Sequence, residues 1–440
     1  MRVHFIAIGG SAMHNLAIAL HKKGFNVTGS DDEIFEPSKG RLKTHGLLPE
    51  KMGWDDSRIS ANIDIVILGM HARGDNPELL KAKALGLKIM SFPEFVASES
   101  MDKTRVVVAG SHGKTTTTAM IMYVLSELGV DFDYLVGSSI DGFDLSVKLS
   151  DSSIIIIEGD EYLSSPLDLR SKFLWYQPHY SIITGVAYDH INVFPTFELY
   201  IDTFRKYIET HLAEGEYFWF KKDEILERLS RSTSVKNTAY DTPHFESNKD
   251  GSIVNEEGQE YPLYVVGKHN LENMVAAQKV CEKLGVSKDD FYKAASTFTG
   301  AGRRMEKLVQ NDNQVVYRDF AHSPSKLQAT TEAIAETYEG SLLAVFELHT
   351  FSSLNKEFLP LYKNTMQSAD TAIVFYNDAV FAHKKMEPIE ASFVEECFGN
   401  VQVIHSPEVL ANLVNKGFVN GENILLMSSG KFENAEFEFN

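Results

Sequence analysis

Apolar positions in this chain come in short continuous runs, each closing on glycine, serine or charged residues and most followed by text of helical spacing. Runs at 3–8, 25–29, 63–70, 105–109, 154–157, 180–184, 216–220, 315–317, 342–346, 371–376 and 423–427 read as strands, mostly buried on both faces. Positions 12–23, 77–85, 119–128 and 194–212 carry the three-to-four-residue apolar spacing of helices. A last short strand is expected at 88–91, running on through Phe92 and Pro93 into a linker around 98–104. The polar stretch 230–260 predicts a small surface hairpin region. Strands alternating with helices predict an α/β protein with parallel sheets. The linker near 100 and the composition shift at 298–306 divide it into 1–100, 101–300 and 301–440.

The stretch from Arg105 to Thr118 is the most informative. Its strand runs straight into Gly110-Ser111-His112-Gly113-Lys114-Thr115-Thr116 and then into a helix. Glycines there let backbone N–H groups approach phosphate oxygens, the helix N-terminus adds positive partial charge, Lys114 reaches the β/γ-phosphates and Thr115 can hold Mg²⁺. Against the pattern G-x-x-x-x-G-K-[ST], Val108 stands where the first glycine belongs. The run at 154–157 delivers Glu158, placed to hold Mg²⁺ beside a phosphate loop. His190 follows the strand at 180–184 and is read either as a metal or phosphate contact or as a structural histidine. Asn270 follows the glycine turn at Gly267, where an asparagine ordinarily caps a helix.

The first 30 residues form a β-α-β unit without G-x-G-x-x-G, so a dinucleotide is not favoured. A nucleotide-sugar diphosphate can use the same turn, with Gly9, Gly10 and Ser11 on phosphate. Asp31, His71 and Arg73 lie just beyond strands, where doubly wound folds place ligand contacts.

The formal charge of −19, from 61 acidic against 42 basic residues, is the wrong sign for nucleic acid or an anionic membrane. Cys281 and Cys397, in helical text, suit reduced thiols. With no run approaching 18 apolar residues and no cleavage-site pattern at the start, a cytoplasmic protein is expected.

Taken together and in order, G-S-H-G-K-T-T (110–116), G-K-H-N-L-E-N (267–273), A-G-R-R (301–304) and D-F-A-H-S-P (319–324) resemble the Mur ligase family over essentially the whole chain. The segments 30–38, 69–77 and 170–178 look most like its murein peptide ligase branch, with the alanine-adding branch next. The resemblance implies three domains: a Rossmann-like UDP-sugar domain, a central P-loop ATP domain and a Rossmann-like C-terminal domain for the amino acceptor. It implies ATP and Mg²⁺ as cofactors, UDP-N-acetylmuramate and a peptide or amino acid as substrates, and an acyl phosphate intermediate. It further implies Thr115 and Glu158 on one Mg²⁺ and His190 on a second. Asn270 and Arg304 become nucleotide contacts, Asp319 a ribose contact, and His322 and His349 face the incoming amine or the acyl phosphate. The alanine-adding branch has a second histidine where Ser323 stands here, and the peptide branch tends to have arginine at the position of His349. From another class, the alternative is a protein that only binds UDP-muramyl compounds; the intact set Lys114, Thr115, Glu158 and His190 stands against it.

Overall fold

The structure is a computed structural model that describes every residue except His71, Arg303, Asp312, Asn313 and Asn440. The chain divides into two compact units, the first made of 1–110, 125–186 and 201–239, the second of 111–124, 187–200 and 240–440.

The first unit begins with β1 (Arg2–Ile6), α1 (Ser11–Lys22), β2 (Asn26–Ser30), α2 (Ser38–Thr44), β3 (Ile65–Leu68), α3 (Pro77–Ala84), β4 (Lys88–Ser91) and α4 (Phe92–Ser98). Its four strands are parallel in the order β2-β1-β3-β4. The expected strand extension into a linker is corrected here: Ser91 and Glu94 form a capping box, with Pro93 in the first turn, and the chain turns into α4. Serine followed three residues later by glutamate is the sequence form of that cap.

Next along the chain come β5 (Thr104–Ala109), α5 (Lys114–Glu127), β6 (Asp133–Leu135), β7 (Val147–Lys148), β8 (Ile154–Glu158), β9 (Leu163–Ser165), β10 (Asp168–Ser171), β11 (Tyr180–Ile183), α6 (Phe197–Glu209), β12 (Glu216–Phe220), α7 (Glu224–Arg231) and β13 (Lys236–Tyr240), of which most of α5 and the start of α6 belong to the second unit. Seven of these strands make a sheet in the order β13-β12-β11-β5-β8-β6-β7. β5 lies at its centre between β11 and β8, parallel to both, with Val108 opposite Glu158 and Ala109 opposite Ile183. Central placement explains why 105–109 and 154–157 read as unbroken apolar runs.

The second unit holds β14 (His244–Asn248), β15 (Gly251–Glu256), β16 (Gln259–Leu263), α8 (Lys268–Lys283), α9 (Lys288–Ala295), β17 (Glu306–Gln310), β18 (Val315–Asp319), α10 (Pro324–Thr337), β19 (Leu342–Glu347), β20 (Thr371–Phe375), α11 (Ala379–Lys384), α12 (Ala391–Phe398), β21 (Gln402–Ile404), α13 (Pro407–Val419) and β22 (Asn423–Met427). The expected hairpin region resolves into a three-stranded antiparallel sheet, β14-β15-β16. The six-stranded sheet runs β17-β18-β22-β19-β20-β21, parallel except for β17 at the edge. Alternate residues feed its two faces: Tyr317, Ala344, Phe346, Val374 and Met427 enter one core, Val316, Leu343, Val345, Ile373 and Leu426 the other. Among the described residues no helix is long and apolar enough to cross a membrane.

Candidate functional site

The phosphate loop is built on two glycines that the backbone requires. Gly110 has φ +129° and Gly113 φ +74°, in the region that side chains disfavour. Space forbids a side chain as well: a Cβ on Gly110 overlaps Thr184 Oγ1, and one on Gly113 overlaps Asn273 Oδ1. Backbone so bared is what a phosphate cradle needs. α5 begins at Lys114, directing its positive N-terminal end at the loop. Ser111 is anchored within the second unit: its Oγ lies 2.8 Å from Tyr200 Oη and accepts from Ala187 N at 2.9 Å. In the first unit, Glu158 at the end of β8 accepts from Gly137 N at 2.8 Å.

Three of the residues expected on the nucleotide come together in the second unit. Thr116, Asn270 and Arg304 line one cavity with Tyr264, Phe298 and Tyr317. Asn270 does not cap α8, whose N-cap is Gly267; its Nδ2 donates to Val266 O at 2.8 Å. Asp319 sits deeper, accepting from Met305 N at 2.6 Å and Ala321 N at 2.7 Å. Its carboxylate thereby fastens the segment carrying Arg304, whose guanidinium lies 4.4 Å from the Phe320 ring.

A second cluster surrounds Asp189. His190 has φ +54° and donates its N–H to Asp189 Oδ1 at 2.7 Å. His322 Nε2 and Lys326 Nζ each lie 3.9 Å from Asp189 Oδ2, and Ser352 Oγ donates to Oδ1 at 3.3 Å. His349 stands in the loop after β19, its Nδ1 3.5 Å from Ser429 Oγ, with Gly430 leaving room for its ring.

At the carboxyl ends of β1 and β2, Gly9 N donates to Asp31 Oδ2 at 2.7 Å, Gly10 is the N-cap of α1 and Ser11 its first residue. Arg73 is exposed on the loop after β3, and His71 lies outside the described residues.

Three family models match in chain order: "Mur ligase family, catalytic domain" over 2–103, "Mur ligase middle domain" over 108–281 and "Mur ligase, glutamate ligase domain" over 303–430. A UDP-N-acetylmuramate–L-alanine ligase from Caldicellulosiruptor bescii is 31% identical, over 84% of this chain and 82% of its own. The chain belongs to the Mur ligase family. A second relative of this Mur ligase, the UDP-N-acetylmuramate–L-alanyl-γ-D-glutamyl-meso-2,6-diaminoheptandioate ligase of Escherichia coli, is 28% identical over 98% of this chain and 96% of its own. In fold it is similar to the UDP-N-acetylmuramate-alanine ligase of Thermotoga maritima, with a TM-score of 0.71 and 21% identity, covering 99% of this chain and 97% of that one. Mur ligases are ATP-dependent, ADP-forming ligases that make amide bonds in peptidoglycan synthesis or recycling, and this chain is an enzyme of that class.

Electrostatics separate the acids of these clusters. Burial alone raises the Asp189 carboxyl, but His190, Lys326 and His322 outweigh it and hold the group well below the usual carboxylate range. Burial, with Lys326 beside it, pushes the His322 imidazole down to about 3, so the ring is neutral at physiological pH. Asp31 goes the other way, lifted from 3.8 to about 6, chiefly by burial and then by the neighbouring Asp32 side chain, through hydrogen bonding and charge. An acid whose folded pKa is raised stabilises the fold below its unfolded value and loses that contribution as pH rises through about 6. Asp31→Asn is therefore expected to be more stable than wild type by about 2 kcal/mol at pH 7, with the difference gone by about pH 4. Urea melts at the two pH values check it, and a variant no more stable at pH 7 refutes it.

Sequence reasoning did not single out Lys326, Ser352, Tyr200 or Asp189 as site residues. Of these only Lys326 had a legible signal, lying four residues beyond His322 in the first turn of a helix. Asp189 and Ser352 meet only through the fold.

Proposed function

We propose that this Mur ligase joins the lactyl carboxylate of UDP-N-acetylmuramate to the amine of L-alanyl-γ-D-glutamyl-meso-diaminopimelate, as in peptidoglycan recycling. The observation that carries the ligation chemistry is the phosphate loop whose two glycines admit no side chain. The choice of the tripeptide rests on the likeness of 30–38, 69–77 and 170–178 to the peptide-adding branch, with the E. coli relative in support.

In this reading Gly110, Ser111, His112, Gly113 and Lys114 hold the phosphates, while Thr116, Asn270, Arg304 and Asp319 serve the nucleoside end. Gly9, Gly10, Ser11, Asp31 and Arg73, with His71, take the UDP-sugar. Thr115 and Glu158 would serve one Mg²⁺ and His190 a second, with the hydroxyl, carboxylate and imidazole donors that the family likeness assigns to them. Mg²⁺, when bound, neutralises phosphate charge. The protein orients: a carboxylate oxygen attacks the γ-phosphorus, ADP leaves, and the resulting acyl phosphate meets the acceptor amine. The N–C bond forms as the C–O bond to phosphate breaks, and phosphate departs with the electron pair. The surplus proton on nitrogen passes to His322 Nε2, with His349 facing the acceptor.

A second reading, the alanine-adding ligase, is favoured by the name of the 31% identical relative. Phosphate release with ATP, Mg²⁺ and UDP-N-acetylmuramate, comparing tripeptide with L-alanine, separates the two. Turnover with the tripeptide alone is expected. Turnover with alanine hands the assignment to the second reading, and silence with both indicates a binding protein.

A further inference from the structure

The second unit devotes several contacts to one imidazole. His322 Nδ1 lies 2.9 Å from Phe320 O; a carbonyl only accepts, so Nδ1 carries the proton and Nε2 presents a lone pair. The Phe320 ring meets the imidazole edge-on at 5.4 Å, and Tyr362 Oη donates to the His322 carbonyl at 2.6 Å. Backbone and ring plane are thereby fixed. What faces the lone pair is Lys326: Nζ is 3.4 Å from Nε2 and 3.9 Å from Asp189 Oδ2.

That lysine is in an unusual place. It is the third residue of α10, where the helix dipole disfavours a cation. A lysine there ordinarily extends into water, yet only 17% of this side chain is exposed. Its ammonium turns inward, within reach of two acceptors, a neutral ring nitrogen and a buried carboxylate. Such a group can hold one acceptor and then release it to the other.

We propose that Lys326 is a positioning residue for amide formation: its ammonium orients the His322 imidazole through Nε2 and then withdraws onto Asp189, freeing that lone pair to take the acceptor amine's proton. The inference rests on the ligase reading above. As the N–C bond forms and phosphate leaves with the C–O pair, the proton lost by nitrogen goes to Nε2. The Nε2 lone pair is open to that proton once Lys326 Nζ has shifted to Asp189, whose carboxylate then faces both cations. Lys326 neither gains nor loses a proton.

The test uses the full chain as wild type, Lys326→Met and Lys326→Arg. Acyl phosphate formed from UDP-N-acetylmuramate without acceptor is trapped by borohydride, which reduces it to the alcohol with loss of phosphate, and amide formation is followed with the accepted acceptor. Lys326→Met is expected to keep the trapped product within about twofold and to lose about 10²-fold in kcat for amide formation, with KM for ATP unchanged and about tenfold recovered by Lys326→Arg. Full amide formation by Lys326→Met overturns the proposal, as does equal loss of both half-reactions with a lowered melting temperature, which marks a structural role. Wild type that forms neither acyl phosphate nor amide fails the ligase reading itself, before any variant is compared.

Discussion

Gly113→Ala is expected to abolish ATP-dependent turnover while leaving the protein folded. Two independent effects act at this position. Its φ of +74° is one an alanine adopts only with strain, at about 1 kcal/mol or somewhat more. Lack of space matters more: the added Cβ overlaps Asn273 Oδ1 and lies 3.2 Å from Asn273 Cγ. Asn273 is a short, buried side chain within α8, so it yields only by moving the helix or by displacing the loop. Either response moves backbone N–H groups that must meet phosphate oxygens, and losing one such donor costs about 10²–10³ in kcat. Gly129→Ala is the matched control, with φ +69° and nothing within 4 Å of the added Cβ. It carries the strain without the collision. Phosphate release with ATP, Mg²⁺ and UDP-N-acetylmuramate plus acceptor is expected to fall at least about 10²-fold for Gly113→Ala and less than about twofold for Gly129→Ala, with unchanged circular dichroism for both. Equal activity of the two variants would remove the loop from the nucleotide site.

Much of this was readable in the sequence, for a definite reason. Strands buried on both faces announce themselves as apolar runs, and the residues after them fall at the carboxyl ends of parallel strands, where ligands bind. Hence β5, β8 and β22 stand where the runs predict, and Gly110 and Gly113 sit on a loop between strand and helix, with Lys114 opening the helix. α4 is equally legible, through Ser91 and Glu94, but its apolar residues follow β4 without a break and so pass for more of the strand. Other features have no local signature. Asp189 and His322 are far apart in sequence, and their 3.9 Å approach depends on where the C-terminal sheet places α10. Asp319 was assigned to the ribose by the family resemblance, and only the hydrogen bonds from Met305 N and Ala321 N reveal the backbone work of its carboxylate. Glu78 was invisible for the same reason: in the sequence it is one more acid in the first turn of a helix.

Removing Glu78 is expected to unfold the N-terminal sheet of the first unit. This carboxylate is completely buried and gathers four donors from three elements. Oε1 accepts from Asp55 N at 2.9 Å and lies 3.4 Å from Arg58 Nη1; Oε2 lies 3.3 Å from His4 Nε2 and accepts from Ser30 Oγ. His4 is on β1, Ser30 ends β2, and Asp55 and Arg58 belong to the segment before β3, so one side chain ties the parallel strands together. Burial alone raises its carboxyl, but the bonds from His4, Asp55 N and Ser30 outweigh burial and leave the group below its ordinary range. A depressed acid contributes stability above its unfolded value, near 4.5, and loses it as pH falls through the lower folded value. Glu78→Ala leaves buried donors with no acceptor and is expected to destabilise the first unit by about 3–5 kcal/mol, since an orphaned partner costs more than the intact pair gains. Glu78→Gln, which keeps one acceptor oxygen but turns an N–H₂ toward donors, falls between. In a chain of this size the loss is read as an early unfolding transition rather than one shifted midpoint, so hydrogen exchange at β1 and β3 with urea titration is the measurement. Protection at Val66 and Ile67 that survives in Glu78→Ala at pH 7 would show that the apolar faces of the sheet suffice without the carboxylate.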